Sequence, residues 1–308
     1  MISRRHIRIK VMQSLYSFFS LKDTNVSNAE KKLLDHIENI NVLHNVLICF
    51  LIELCKFAEN HFEDGKNKFL PSSDDLNPNT KFTENFIFKL IRKDKKLLDK
   101  LKNVSSNWLD NDHDIIRKVF IDLIKSDLYN KYILKESSQE EDIRFINQAL
   151  NNFILNNEVL HHILEEKSIY WIDDLPFVAT IIMGNFKLNK IHNLNTVFKN
   201  SSDKSFAVNL FSSTAEQNKN YEKIIVEKSK NWDLERIALM DQILIKMAFS
   251  EILTMEELPV KVSLNEYIEI SKYYSTAKSK MFVNGLLDNA IKDFTEKNMI
   301  NKKGRGLQ

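Results

Sequence analysis

Wound as a helix, the stretch LERIALMDQILIKMAFSEIL at 234–253 is apolar on almost every side. A helix of that kind has no face to give to water, so other elements must enclose it. The simplest enclosure is a bundle of further helices, and the rest of the chain is suited to supply one. Only five glycines and four prolines punctuate 308 residues, which leaves few forced turns. No stretch alternates apolar and polar residues between turn signals, as a half-buried strand would. The expectation is an all-α protein of about ten helices with a C-terminal bundle around 234–253.

Helix starts are sought in boxes of the form S/T-x-x-E, whose side chains cap free backbone N–H groups. Ser27/Glu30, Ser137/Glu140, Ser213/Glu216 and Ser263/Glu266 have this form, and each precedes an apolar run with helical spacing. Two of the four prolines fall in EDGKNKFLPSSDDLNPNT (63–80), which reads as a long loop, and FKNSSDKS (198–205) reads as another. Pro259 separates the apolar helix from one expected to begin after Ser263.

Charge and cysteine content narrow the setting. With 44 basic against 42 acidic side chains, affinity for a polyanion must come from local patches rather than net charge. Cys49 and Cys55 lie six residues apart on one expected helix and point about 240° from each other. They cannot bridge without breaking that helix, which suits a reducing cytoplasm. The run VLHNVLICFLIEL (42–54) is interrupted by His44 and Asn45 and is shorter than the ~20 apolar residues of a membrane span. The basic N-terminus lacks the apolar core of a secretory signal. A soluble, cytoplasmic protein with no membrane association is expected.

Catalytic motifs are absent. There is no glycine-rich phosphate or dinucleotide loop, no HExxH and no CxxC. His161 and His162 are adjacent and diverge on a helix, while Asp173 and Asp174 precede Pro176 as a helix start would. The chain is expected to be no enzyme and to need no cofactor or metal.

Two basic segments remain. MISRRHIRIKVMQSLY combines Arg4, Arg5, Arg8 and Lys10 with an apolar stripe that includes Ile7, Val11 and Leu15. Arg5 and Tyr16, eleven residues apart, share a helix face at a separation of about 16 Å. Arginine holds phosphates through its planar fork, and an exposed tyrosine stacks an unpaired base. The same residues also suit a merely solvated helix. KLIRKDKKLLDKLK (89–102) carries seven basic residues against two Asp, and its spaced leucines favour a solvated outer face. In KSKMFVNGLLDNAIKDF (278–294), Val283, Leu286, Leu287, Ala290 and Phe294 form the core stripe, with Lys278, Gly285 and Asn289 beside it and Phe282 at its edge. A helix-interior glycine costs about 1 kcal/mol relative to alanine. Gly285 therefore serves either close approach of a neighbouring helix or approach of a ligand to the backbone.

PVKVSLNEYIEIS and FVNGLLD, in this order and spacing, resemble the bacterial transcription antitermination factor NusB family. RRHIRIKVMQSLY resembles that family's arginine-rich first helix, so the resemblance covers residues 3–17 and about 220–292. It implies NusB-like helical bundles with an inserted helical extension. On this reading 1–204 holds the basic first helix and a helical N-terminal region with the insert, 205–300 the C-terminal bundle, and 301–308 a basic tail. It also implies a role in transcription antitermination: binding, with ribosomal protein NusE, of boxA-like single-stranded RNA in nascent rRNA transcripts, in the RNA polymerase elongation complex. The RNA-binding residues carried over are Arg4, Arg5, Arg8, Tyr16, Lys278, Lys280 and Phe282, and Asp241 matches an acidic position that faces NusE. Met281 stands where the family often has a basic residue, and Tyr274-Ser275 where a Phe-Gly helix ending is common. The alternative from another class is a helical protein–protein adaptor in transcription or ribosome assembly, without sequence-specific RNA binding.

Overall fold

The computed structural model describes residues 1–108, 113–191, 197–229 and 234–303. The apolar segment behaves as its sequence demands. Helix α13, Leu239–Thr254, is buried on all sides from Ile243 to Ile252, and a short 3₁₀ turn at Leu234–Arg236 precedes it. It is enclosed by α1 (Arg4–Ser20), α11 (Ser201–Glu216), α12 (Asn218–Lys228), α14 (Val260–Tyr274) and α15 (Ala277–Glu296). Phe249 meets the rings of Phe294 and Tyr221 edge-on at 5.3 and 5.8 Å, and Phe18 of α1 meets Phe211 of α11 at 5.7 Å. The five stripe residues of α15 are all buried. Val283, Leu286, Leu287 and Phe294 each contribute about 1.5–3 kcal/mol by leaving water, and Ala290 less.

The chain divides into two units, one of Met1–Ile37 with Thr196–Gln308 and the other of Glu38–Asn195. The first is the bundle around α13. Its chain end closes the C-terminus of α13: Lys302 donates to the carbonyl of Met255 at 2.8 Å, and the Lys303 amide to that of Glu256 at 3.0 Å. Cations belong at this end of the helix, where unpaired carbonyls gather. Residues 304–308 of the expected basic tail lie outside the described residues.

The second unit contains α3 to α10. These are Ser73–Leu76, Phe86–Lys93, Lys95–Trp108, His113–Ile124, Asp127–Leu134, Gln139–Ala149, Glu158–Lys167 and Trp171–Lys187. A π-helical turn at Leu150–Ile154 follows α8. Helix α2, Val26–Lys66, begins in the first unit and continues into the second. By length and composition alone it could cross a membrane, but 61% of its most apolar window is buried within the protein, as in a core helix. Its Cys49 and Cys55 are free and buried, and burial pushes both thiols up to about 12.

The fold is all-α, with no strand among the described residues and fifteen α-helices rather than ten. The capping boxes read from sequence are not the ones used. Asn25 caps α2, Ser138 caps α8, and Ser213 and Ser263 lie inside α11 and α14. Among the described residues a capping box forms at Ser72/Asp75, opening α3 within the expected loop, and α11 begins at Ser201 inside the other expected loop.

Candidate nucleic-acid interface

Helix α1 starts at an N-cap, Ser3, whose hydroxyl accepts from the His6 amide, and its first turn has no acidic residue. Three arginines near this positive helix end are unfavourable unless carboxylates answer them. Three carboxylates from elsewhere do. Arg4 donates to Asp203 of α11 at 3.1 Å and lies over the Phe206 ring. Arg5 makes a bidentate pair with Glu266 of α14 at 2.9 and 2.7 Å, and about half of its side chain remains exposed. The bonds from Arg5 hold the Glu266 carboxyl below its ordinary range, against partial burial.

Arg8 departs from the expectation of an RNA contact. Its side chain is 3% exposed and forks onto Glu251 of α13, itself fully buried, at 2.8 and 2.6 Å. Glu251 also accepts from the Ser263 hydroxyl at 2.6 Å and the Tyr267 hydroxyl at 2.9 Å. Burial would lower the Arg8 pKa, but the hydrogen bonds and charge of Glu251 outweigh it, and the pKa is raised. Tyr267 is pushed up by burial and by the Glu251 charge, so its hydroxyl remains a donor. Arg8 thus joins α1 to α13 and α14 from beneath, and it has no surface for a ligand. Sequence spacing gave no sign of Glu251, Ser263 or Tyr267 as its partners; a charged residue inside an all-apolar helix was the available signal.

The outer face differs. Tyr16 is exposed three turns along α1 from Arg5, and Lys278 is exposed while Lys280 and Phe282 are half-buried on α15. Arg5 and Lys280 are brought into one electrostatic neighbourhood: both help, after Lys272, to hold the Glu269 carboxyl below its ordinary range. No polar contact links Tyr16 to α15 among the described interactions. Gly285 is exposed, and a Cβ there would meet no atom within 4 Å. Packing against the described residues therefore does not explain the glycine.

Asp241 is more enclosed than the residues of that outer face. It lies in the first turn of α13, 4% exposed, and accepts a hydrogen bond from Ser275. It does not face outward; it lines a cavity of about 330 Å³ with Lys278, Phe282, Arg236 and Ile237. Ser275 supplies the hydroxyl that ties the carboxylate down.

This geometry defines an all-helical protein in which a basic N-terminal helix is locked by buried charge into a C-terminal bundle. The chain belongs to the NusB family, whose profile matches residues 182–292. Helix α1 lies outside that matched interval and joins it through Arg8. Proteins described as "Transcription antitermination protein NusB" are similar over this region. That of Salinibacter ruber is 43% identical over 106 residues, 34% of this chain and 66% of the relative. That of Chloroherpeton thalassium is 39% identical over 104 residues, 34% and 49% of the two chains. The Thermodesulfovibrio yellowstonii protein is 36% identical over 107 residues, 35% and 71%. The chain thus spans less than two thirds of the first two relatives' length. No solved structure matches it.

Proposed function

We propose that this protein is a cytoplasmic, non-catalytic transcription antitermination factor that binds boxA-like single-stranded RNA in nascent rRNA transcripts. It acts with ribosomal protein NusE in the RNA polymerase elongation complex. The observation that carries the reading is the joining of α1 to a NusB-matching bundle by the buried Arg8–Glu251 pair, which leaves Arg5 and Tyr16 exposed. Arg4, Arg5, Tyr16, Lys278, Lys280 and Phe282 form the RNA surface. Cations hold the phosphates, and the two rings stack unpaired bases. Arg8 positions that surface. The reading is tested by titrating the full chain with a boxA RNA and a scrambled RNA, with and without NusE. Tighter binding of boxA, strengthened by NusE, is expected; equal binding of both RNAs contradicts it.

A second reading, a protein–protein adaptor without sequence-specific RNA binding, is favoured by a groove of about 860 Å³ in the second unit. Ile143, Asn147, Asn151, Thr180 and Met183 line it. NusE binding with no RNA affinity in either titration would select this reading.

A further inference from the structure

We propose that the cavity between the starts of α13 and α15 receives one unstacked nucleobase of the bound strand, preferentially guanine, read by Asp241. The proposal rests on the RNA-binding reading and deepens it from a phosphate-and-stacking surface to a base-selective one. At about 330 Å³ the cavity has the size of a small-ligand site. Its lining suits a base: the aromatic ring of Phe282, the apolar side chain of buried Ile237, the buried carboxylate of Asp241, and at the rim the hydroxyls of Thr276 and Ser279. Pockets that take a base out of a strand hold it between aromatic and apolar side chains and read its edge by hydrogen bonds.

The reader is Asp241, and its chemistry sets the preference. An ionised carboxylate only accepts hydrogen bonds, through two oxygens with about four lone-pair sites. Ser275 occupies one site on Oδ1, which leaves acceptor capacity on the group. Guanine offers two adjacent donors on its pairing edge, the ring N1–H and the 2-amino group, which match a carboxylate. Adenine and cytosine offer an amino group beside a ring nitrogen that repels the second oxygen. Uracil offers one N–H flanked by two carbonyl oxygens. Arg236 and Lys278 line the same cavity and supply charge for the phosphates flanking the inserted base. A partner's lysine or arginine would also satisfy Asp241, but those two cations oppose its entry.

The test titrates the full chain with GMP, IMP, AMP, CMP and UMP by NMR, alongside uridine-rich RNA 12-mers carrying a single central G, A, C or U. GMP should bind at least about tenfold more tightly than AMP, CMP or UMP, the lower range of discrimination by a bidentate contact. IMP, which lacks the 2-amino group, should fall between. Asp241→Asn replaces one acceptor oxygen with a donor amide and should abolish the preference for guanine. Phe282→Ala should weaken all five nucleotides without reordering them. If Asp241→Asn does not fold, Ala238→Leu fills the cavity from an exposed position and should abolish GMP binding. Equal affinity for the nucleotides, no GMP binding at millimolar concentration, or uniform loss in Asp241→Asn overturns the proposal. Loss of NusE binding in Asp241→Asn with unchanged nucleotide affinities overturns it too and gives the cavity to a protein side chain. RNA 12-mers bound without discrimination defeat the pocket alone; GMP bound while no RNA binds defeats the broader RNA reading alone.

Discussion

The two units bury polar groups at their centres in different ways. In the first, a full ion pair, Arg8–Glu251, is closed off by Ser263 and Tyr267. In the second, Asp142 accepts from the Tyr132 hydroxyl at 2.7 Å and the Phe86 amide at 2.8 Å. Asn85 donates to the same hydroxyl at 3.1 Å and caps α4 through the Ile87 amide. Tyr132 stacks on Phe145 at 3.9 Å. The first arrangement joins residues 243 positions apart, the second residues 10 and 56 apart. A buried charge that ties the chain's N-terminal helix to a distant bundle requires particular residues at both places. The second network ties α4, α7 and α8 together through one carboxylate, Asp142.

The comparison can be broken by substitution. Glu251→Gln removes the bidentate partner of buried Arg8 and leaves only Glu266, at 3.7 Å, as its counter-charge; it should destabilise the protein by about 3 kcal/mol in urea unfolding. Asp142→Ala leaves the Phe86 amide of α4 without its acceptor and the Tyr132 hydroxyl with only the Lys81 carbonyl at 3.3 Å, and should cost about 1–3 kcal/mol. Equal costs would remove the distinction between the two centres.

Acid should sharpen it next. Burial, then Lys10 and Arg5, push His6 in the first unit down from 6.5 to about 4, and burial does the same to His44 in the second. The unfolded chain therefore takes up these protons first. Stability should be full above pH 6.5 and fall progressively between 6.5 and about 4. Glu266 adds a later loss: its depressed pKa keeps the Arg5 pair intact below the ordinary 4.5, until pH falls through the folded value. Urea midpoints at pH 7, 5.5 and 4.5 check the sequence, and a flat profile contradicts it.

The smallest stability effect belongs to the exposed pair. Glu266→Gln should cost less than about 1 kcal/mol, because Arg5 remains half in water. It should also raise affinity for single-stranded RNA by releasing Arg5, as read by fluorescence anisotropy. Lower affinity would mean that Glu266 orients Arg5 rather than competing for it.

The helical class, the central α13 and the core stripe of α15 were legible because they depend on apolar periodicity, which a sequence displays directly. Helix ends were not. Ser263 and Glu266 have the form of a capping box, yet inside α14 they serve Glu251 and Arg5. The same residue types satisfy backbone donors or distant charges, and only tertiary contact decides which. Arg8 was misjudged for a related reason: spacing gives a residue's helix face, but not the partner that covers it. Gly285 was recognised as unusual, and among the described residues the space above it is open.

The most direct measurement of the central claim is the affinity of Phe282→Ala and Arg5→Ala for boxA RNA across a salt series. Loss of stacking by Phe282 should weaken binding by about 1–3 kcal/mol. Loss of Arg5 should weaken it and reduce the slope of log K against log salt by about one phosphate contact. Wild-type affinity and salt slope in both variants, with circular dichroism unchanged, would contradict the claim that α1 and α15 together form the RNA face.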